Sequence, residues 1–297
     1  MKQISLARWS ERNLKYLLLI PTVALLLILT VYPLIYAVVA SLHTINIRTG
    51  EQSFIGLKNF VAIATDKLFW NALKNTAVYT GVGVTLEFFF GLGLAMFLST
   101  KLVGRNMFRA LLLTPMMLPP IVVAVIFKII YIPDFGIINW LLGLVGIEGI
   151  IWEASVKTAL PSLILVDIWE WTPFMFLILL AGLQAIPVDP YEAAMVDGAS
   201  QLQVFRHITI PLLTPAILIA LLLRLMDTLR IFDQVFIMTG GGPANATETM
   251  SLYIYRHGFR FSNIGYATAM SFIMLILTVM ISNFFINRLK AEEIFTQ

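Results

Sequence analysis

Four ionisable residues recur at intervals of three inside one long apolar run: Arg224, Asp227, Arg230 and Asp233. A second run carries Asp167 and Glu170 beside Trp171 and Phe174. Charges in a segment destined for lipid are costly, so they mark a polar pathway or an internal ion pair. On a helix, residues three or four apart are neighbours. Adjacent members of the first group can therefore pair along the helix, and Asp167, Trp171 and Phe174 share a face. Two readings stand: a self-neutralising ladder that locks helices together, or hydrogen-bonding groups, Thr228 included, for a polar ligand. Glu87 and Lys128 each stand alone in an apolar run and are expected to pair with each other or to mark polar helix ends.

Catalysis is not the expected chemistry. The chain has no cysteine, which excludes disulfides, thiolate metal sites and thiol nucleophiles. His43, His207 and His257 are at no metal-ligand spacing. An intramembrane enzyme needs a carboxylate pair, a metal cluster or a nucleophile with its base. Asp167 and Glu170 are the only candidates, with nothing gathered around them. Gly240-Gly241-Gly242 lacks the lysine and following helix of a nucleotide-binding loop.

The elements that must hold these residues are membrane spans. Of the 297 residues 59% are hydrophobic and 12% charged, with a mean hydropathy of +0.87. Soluble domains average about 45–50% apolar and 25% charged. A bilayer core needs roughly 20 residues of helix, and spans are expected at about 17–42, 75–99, 110–132, 158–183, 212–238 and 261–287. The first is longer than the ~7–15 apolar residues of a cleaved signal peptide. Pro115, Pro119 and Pro120 predict a kink in the third. Residues 133–157, with FGIINWLLGLVG, read as a loop lying at the membrane interface.

Lys and Arg border these spans unevenly. Lys2, Arg8, Arg12, Lys15, Lys101, Arg105, Arg109, Arg206, Arg288 and Lys290 fall on one side. Arg48, Lys58, Lys67, Lys157, Arg256 and Arg260 fall on the other. The positive-inside rule then puts both termini in the cytoplasm. The net charge of +3 signals topology rather than a nucleic-acid partner. The expected organisation is all-α: a cytoplasmic N-terminus at 1–16, six transmembrane helices over 17–290, and a cytoplasmic tail at 291–297.

Between spans four and five lies Asp189–Pro215, polar enough for water. Asp189, Pro190 and Glu192 read as a helix start with a capping box. Gly198 can end that helix, Ser200 can cap a second, and Pro211 and Pro215 mark the turn into span five. Met195, Ala199, Leu202 and Phe205 recur as one apolar face. The small residues Ala193, Ala194, Gly198 and Ala199 allow close approach of a partner backbone. An ordinary interfacial connector is the alternative.

Glu192-Ala193-Ala194, Asp197-Gly198-Ala199, Ile208 and Pro211 resemble the EAA motif of ABC importer membrane subunits. Tyr32-Pro33, FIGLKNF at 54–60, the basic connector at 101–109, DIWEWTPF at 167–174 and RIFDQVFIMTGGGP at 230–243 resemble the carbohydrate branch, on its MalF/UgpA-like side. The resemblance runs from about residue 14 to 290. It implies a type I ABC importer permease fold in a bacterial or archaeal inner membrane, with a coupling loop at 189–211 seated in a cytoplasmic ATPase. The coupling positions it implies are Glu192, Ala193, Ala194, Asp197, Gly198 and Ala199. Its implied partners are a second, MalG-like permease, two copies of the ATPase, an extracytoplasmic sugar-binding protein, membrane lipid and a sugar, with no nucleic acid. ATP and Mg would belong to the ATPase, and this chain would bind no cofactor. Substrate contacts in the family come from spans four to six, which implies Asp167, Trp171, Phe174, Arg224, Asp227, Thr228 and Arg230 as ligands for a sugar, with Asp233 nearer the outer end. A di- or oligosaccharide such as trehalose or a maltose-type glucoside fits these spans better than a phosphorylated polyol, which needs more unpaired cations. An ion-coupled secondary transporter is the alternative; it would show internal repeats and interrupted helices about a midplane site, and the EAA stretch would have no role in it.

Overall fold

The computed structural model describes residues 2–45, 50–99 and 104–295. Arg48 and Lys101, counted in the charge asymmetry, lie outside the described residues. The elements in chain order are α1 (Lys2–Ser41), a hairpin of β1 (His43–Ile45) and β2 (Gln52–Phe54), α2 (Lys58–Thr65), α3 (Lys67–Ser99), α4 (Arg105–Leu113), a short turn of helix at Pro115–Met117, α5 (Pro120–Ile130), α6 (Ile137–Leu144), α7 (Ala159–Ala185), α8 (Asp189–Val196), α9 (Gln201–Val204), a wide turn at Phe205–Thr209, α10 (Ile210–Thr228), α11 (Asp233–Met238), α12 (Met250–Tyr255), a second wide turn at Arg256–Arg260, and α13 (Ile264–Phe295). The all-α expectation holds apart from the three-residue strands, which pair antiparallel with His43 opposite Phe54. Among the described residues, five helical stretches are long and apolar enough to cross a membrane: Leu14–Ser41, Lys67–Ser99, Ala159–Ala185, Gln201–Met238 and Ile264–Ala291.

The third expected span is broken rather than kinked. A proline forces the residue before it out of the helical region. Pro119, followed by Pro120, is extended at φ −61° and ψ 137°, and separates α4 from α5. The fifth expected span is also interrupted. The last bonds of α10 tighten, Arg230 N–H to the Asp227 carbonyl and Ile231 N–H to the Thr228 carbonyl, and the chain leaves the helix before α11 begins. Non-helical backbone at membrane depth is tolerated only where protein covers it or it lines a cavity.

Two compact units divide the chain. The smaller comprises residues 1–65 and 254–273. Asn59 holds it together: its amide donates to the carbonyls of Ser41 (2.8 Å) and His43 (3.1 Å), which ties α2 to the end of α1 and to the hairpin. The larger unit, 66–253 and 274–297, is built on the α3–α7 pair, with α10 packed on both and α11 on α5. Gly91 lets α3 and α7 touch, since a Cβ there would fall 2.6 Å from the Met175 Cβ. Leu92, Ala95, Leu98, Phe176, Leu179, Leu180 and Leu213 close an apolar core beside that contact.

The segment between α5 and α7 is tied by side chains. Trp152 stacks on Tyr131 at 5.0 Å and an interplanar angle of 15°. Beside it, Glu153 is half-buried and its Oε1 has no hydrogen-bond partner. Burial pushes this carboxyl from 4.5 up to about 7, and the Lys128 ammonium opposes the shift. A folded-state pKa raised above the unfolded value means the folded loop binds the proton more tightly, so its stability falls as pH rises from about 4.5 and levels off above about 7. Hydrogen exchange at residues 146–157 is therefore expected to be faster at pH 8 than at pH 5.5 relative to the rest of the chain. Glu153→Gln should flatten that difference, and an unchanged difference in this variant would assign it to another group.

Candidate functional site

Four charged residues of the apolar runs, Glu87, Asp167, Arg224 and Asp227, meet on three helices. Arg224 of α10 is 1% exposed, and all three of its guanidinium nitrogens donate to carboxylates. Nε and Nη2 form a fork onto Glu87 of α3, each at 2.7 Å. Nη2 also reaches Asp167 of α7 at 2.9 Å, and Nη1 reaches Asp227 at 2.7 Å. The guanidinium lies 4.7 Å from the ring centre of Trp171, and Trp171 meets Phe174 edge-on with ring centres 6.1 Å apart. A planar fork suits a carboxylate in a way a lysine ammonium does not. Glu87 therefore pairs with Arg224 and not with Lys128, whose ammonium donates instead to the Ile237 carbonyl at 3.0 Å. The expected ladder along span five is reduced to the Arg224–Asp227 pair. Arg230 sits beyond the end of α10, and its Nε donates to the Met226 carbonyl.

A second buried chain runs alongside. The Tyr79 hydroxyl donates to Gln234 Oε1 at 2.8 Å, and the Gln234 amide donates to Glu170 Oε2 at 2.5 Å. It ties α3, α11 and α7 together with three side chains that have no exposed surface. Glu170 was visible in the sequence as a charge in a span. Gln234 was missed, and an uncharged amide within RIFDQVF gives no signal of such a role.

Beside the network opens a cavity of about 290 Å³, lined by Pro120, Trp171, Asp227, Arg230, Phe232 and Asp233. Asp227 faces both ways: one oxygen is held by Arg224, yet the side chain is 51% exposed. The break between α10 and α11 supplies Arg230 and Phe232 to this wall. The seven residues implied as sugar ligands thus separate into three groups. Trp171, Asp227 and Arg230 line the cavity. Asp167, Arg224 and Thr228 are buried behind it, with the Thr228 hydroxyl donating to the Arg224 carbonyl at 2.9 Å. Phe174 buttresses Trp171.

The polar stretch after α7 forms a separate feature. Val188, not Asp189, is the residue flanking α8, and no side chain caps it. Asp189 and Glu192 sit inside the first turn, where acids favour the positive end of the helix dipole. Gly198, at φ +72°, takes the left-handed conformation that turns the chain out of α8. Ser200 then starts α9 in a reciprocal capping box with Gln203, the Ser200 N–H meeting Gln203 Oε1 at 2.8 Å. The left-handed turn breaks the helical phase and takes Leu202 out of the face expected of Met195, Ala199, Leu202 and Phe205. Tyr191, Met195, Ala199 and Phe205 line a concavity of about 270 Å³ with Met96, and Leu202 points outward. Glu192, Ala193, Asp197 and Gly198 are exposed, Ala199 is half-buried and Ala194 is buried inward. A Cβ built on Gly198 meets no atom within 4 Å.

Residues 87–291 match the family model of the binding-protein-dependent transport system inner membrane component. The trehalose/maltose transport system permease protein MalF of Thermococcus litoralis is 37% identical over 272 residues, 92% of each chain. A probable ABC transporter permease protein of Sinorhizobium fredii is 41% identical over 264 residues, 88% of this chain and 85% of the relative. Among solved structures, a bacterial ABC transporter involved in import of the acidic polysaccharide alginate superposes with a TM-score of 0.83 at 25% identity, covering 97% of this chain and 99% of the other.

Proposed function

The chain belongs to the family of binding-protein-dependent transport system inner membrane components, and on that premise we propose that it is one membrane half of an ATP-driven importer for a neutral di- or oligosaccharide of the trehalose or maltose-glucoside type. The observation that carries the sugar reading is the cavity beside Arg224. It joins an aromatic face, Trp171, to a carboxylate and a guanidinium, Asp227 and Arg230. A sugar ring presents an apolar face to the first and hydroxyls to the other two. Arg224 acts behind the wall by holding Asp227 and lying over Trp171, Asp167 holds Arg224, Thr228 bonds back to the Arg224 carbonyl, and Phe174 packs edge-on against the ring of Trp171. At about 290 Å³ the cavity is at the low end of ligand pockets, roughly 300–1,000 Å³. The rest of the binding surface then belongs to a second, MalG-like permease.

On this reading the chain crosses six times with both termini in the cytoplasm, α4 and α5 together making the broken third crossing, and the α8–α9 element then lies on the side of the ATPases. Glu192, Ala193, Asp197 and Gly198 form its exposed docking edge, while Ala194 and Ala199 pack it down onto the membrane domain. Two copies of a cytoplasmic ATPase, with ATP and Mg, close and drag this element, and the α10–α11 break opens the cavity to one side or the other. An extracytoplasmic binding protein delivers the sugar.

Asp227→Asn tests the substrate role. Hydrogen bonds to a charged group contribute about 1.5–3 kcal/mol, so the KM for uptake is expected to rise about tenfold to hundredfold. The chain should still fold and copurify with its partner permease, because Arg224 keeps Glu87 and Asp167 and so keeps α3, α7 and α10 together. Loss of copurification with unchanged KM would give Asp227 to the ladder instead. The sugar itself is found by thermal stabilisation of the cognate binding protein against a panel; a response confined to phosphorylated polyols would overturn the neutral-sugar reading.

A further inference from the structure

We propose that the segment between α5 and α7 is an interfacial membrane anchor, with α6 lying in the lipid headgroup zone and Ile137, Trp140, Leu141 and Leu144 dipped into the acyl boundary. This rests on the chain being a membrane protein and not on which solute it moves. Residues 135–147 carry no charge, and Asp134 and Glu148 bound them. Along α6 the exposed positions fall at i, i+3, i+4 and i+7: Ile137 at 55%, Trp140 at 62%, Leu141 at 50% and Leu144 at 65%. That spacing is one helix face.

The opposite face is fixed by a polar residue. Asn139 is 8% exposed and makes four hydrogen bonds. Its amide donates to the carbonyls of Pro133 at 3.1 Å and Ile150 at 3.0 Å. Its Oδ1 accepts from the Ile150 N–H at 3.1 Å and from Trp152 Nε1 at 2.9 Å. Trp152 is in turn held by its stack on Tyr131, and its carbonyl accepts from the Ser162 hydroxyl at 3.1 Å. The helix therefore cannot roll to hide its apolar stripe. It buries its polar side chain and exposes its apolar ones, the reverse of a helix in water.

Lipid is the occupant that the surroundings indicate. The chain enters this segment from the short apolar helix α5 and leaves it into α7, a helix long and apolar enough to cross a membrane. At 1.5 Å per residue, eight residues span about 12 Å, too short to cross a bilayer. A tryptophan on that apolar face is the residue type enriched where hydrocarbon meets headgroups.

The absence of cysteine makes the test direct. Nitroxide labels at Trp140→Cys, Leu144→Cys and Glu148→Cys are placed in the assembled transporter, with cysteines removed from the other subunits, in lipid nanodiscs. The labels at 140 and 144 should be relaxed by molecular oxygen and shielded from a water-soluble nickel chelate, and the label at 148 should show the reverse. Strong relaxation by the chelate at 140 and 144 would place the stripe in water, and shielding from both reagents would place it against a protein subunit; either overturns the proposal. A second measurement leaves the apolar surface intact. Phosphatidylcholine brominated near its headgroup should quench the wild type more than Trp140→Phe, and equal quenching would remove Trp140 from the lipid.

Discussion

Arg224→Leu is expected to be the most damaging single change in the membrane domain. The guanidinium is the only cation that the network places against Glu87 and Asp167, which are 0% and 1% exposed. Leucine removes five donors and leaves these carboxylates without an opposite charge. Breaking a buried ion pair from one side costs roughly 3–5 kcal/mol, a large part of a total stability of about 5–15 kcal/mol. It also strips Trp171 of the cation over its face and frees Asp227. The expected result is little folded protein in mild detergent, or a large fall in melting temperature in what survives. Arg224→Lys should be intermediate, since an ammonium cannot fork onto Glu87. Replacing the network together, as Glu87→Gln, Asp167→Asn and Arg224→Met, should recover part of the loss, because a neutral set leaves no orphan charge. An Arg224→Leu protein with the melting temperature of the wild type would show that the network is not what fastens α3, α7 and α10.

Gly198→Trp is expected to abolish ATP-coupled uptake while the chain inserts and copurifies with its partner permease. The backbone at Gly198 is left-handed, so any side chain pays strain of roughly 1–2 kcal/mol. The space around it is open, so tryptophan meets nothing in its own chain. Its bulk instead projects from the edge formed by Glu192, Ala193 and Asp197. Gly198→Ala separates strain from bulk: it shares the left-handed cost and adds only a methyl, so it should retain most uptake. Normal uptake by Gly198→Trp would refute the docking role of this turn, and equal loss in both variants would assign the defect to the backbone.

Five of the six expected spans were legible because long apolar runs have one stable solution in lipid, a helix, whereas Pro119 and Pro120 break the third. Gly198 and Ser200 were legible because left-handed turns and helix caps select residue types locally. Asp189 is not the cap because the helix begins one residue earlier than its residue types suggest, and the left-handed turn at Gly198 removes Leu202 from the face expected from Met195 to Phe205. What sequence spacing cannot carry is a contact across the fold. Arg224 and Glu87 are 137 residues apart, and nothing local in either helix names the other. The one available signal was negative: a lone acid in span two requires a partner, and of the basic residues in the apolar runs only an arginine can fork onto it. Asn139 and Gln234 gave no signal, since buried amides stand out only once their partners are placed.

Coupling of sugar import to ATP is tested by reconstitution. The chain is placed in proteoliposomes with the second permease, the ATPase and the binding protein, and accumulation of labelled trehalose and maltose-type glucosides is followed. The predicted result is uptake that requires ATP and the binding protein, is unaffected by collapsing proton and sodium gradients, and is lost in Gly198→Trp. Uptake that proceeds without ATP and follows an ion gradient would contradict it.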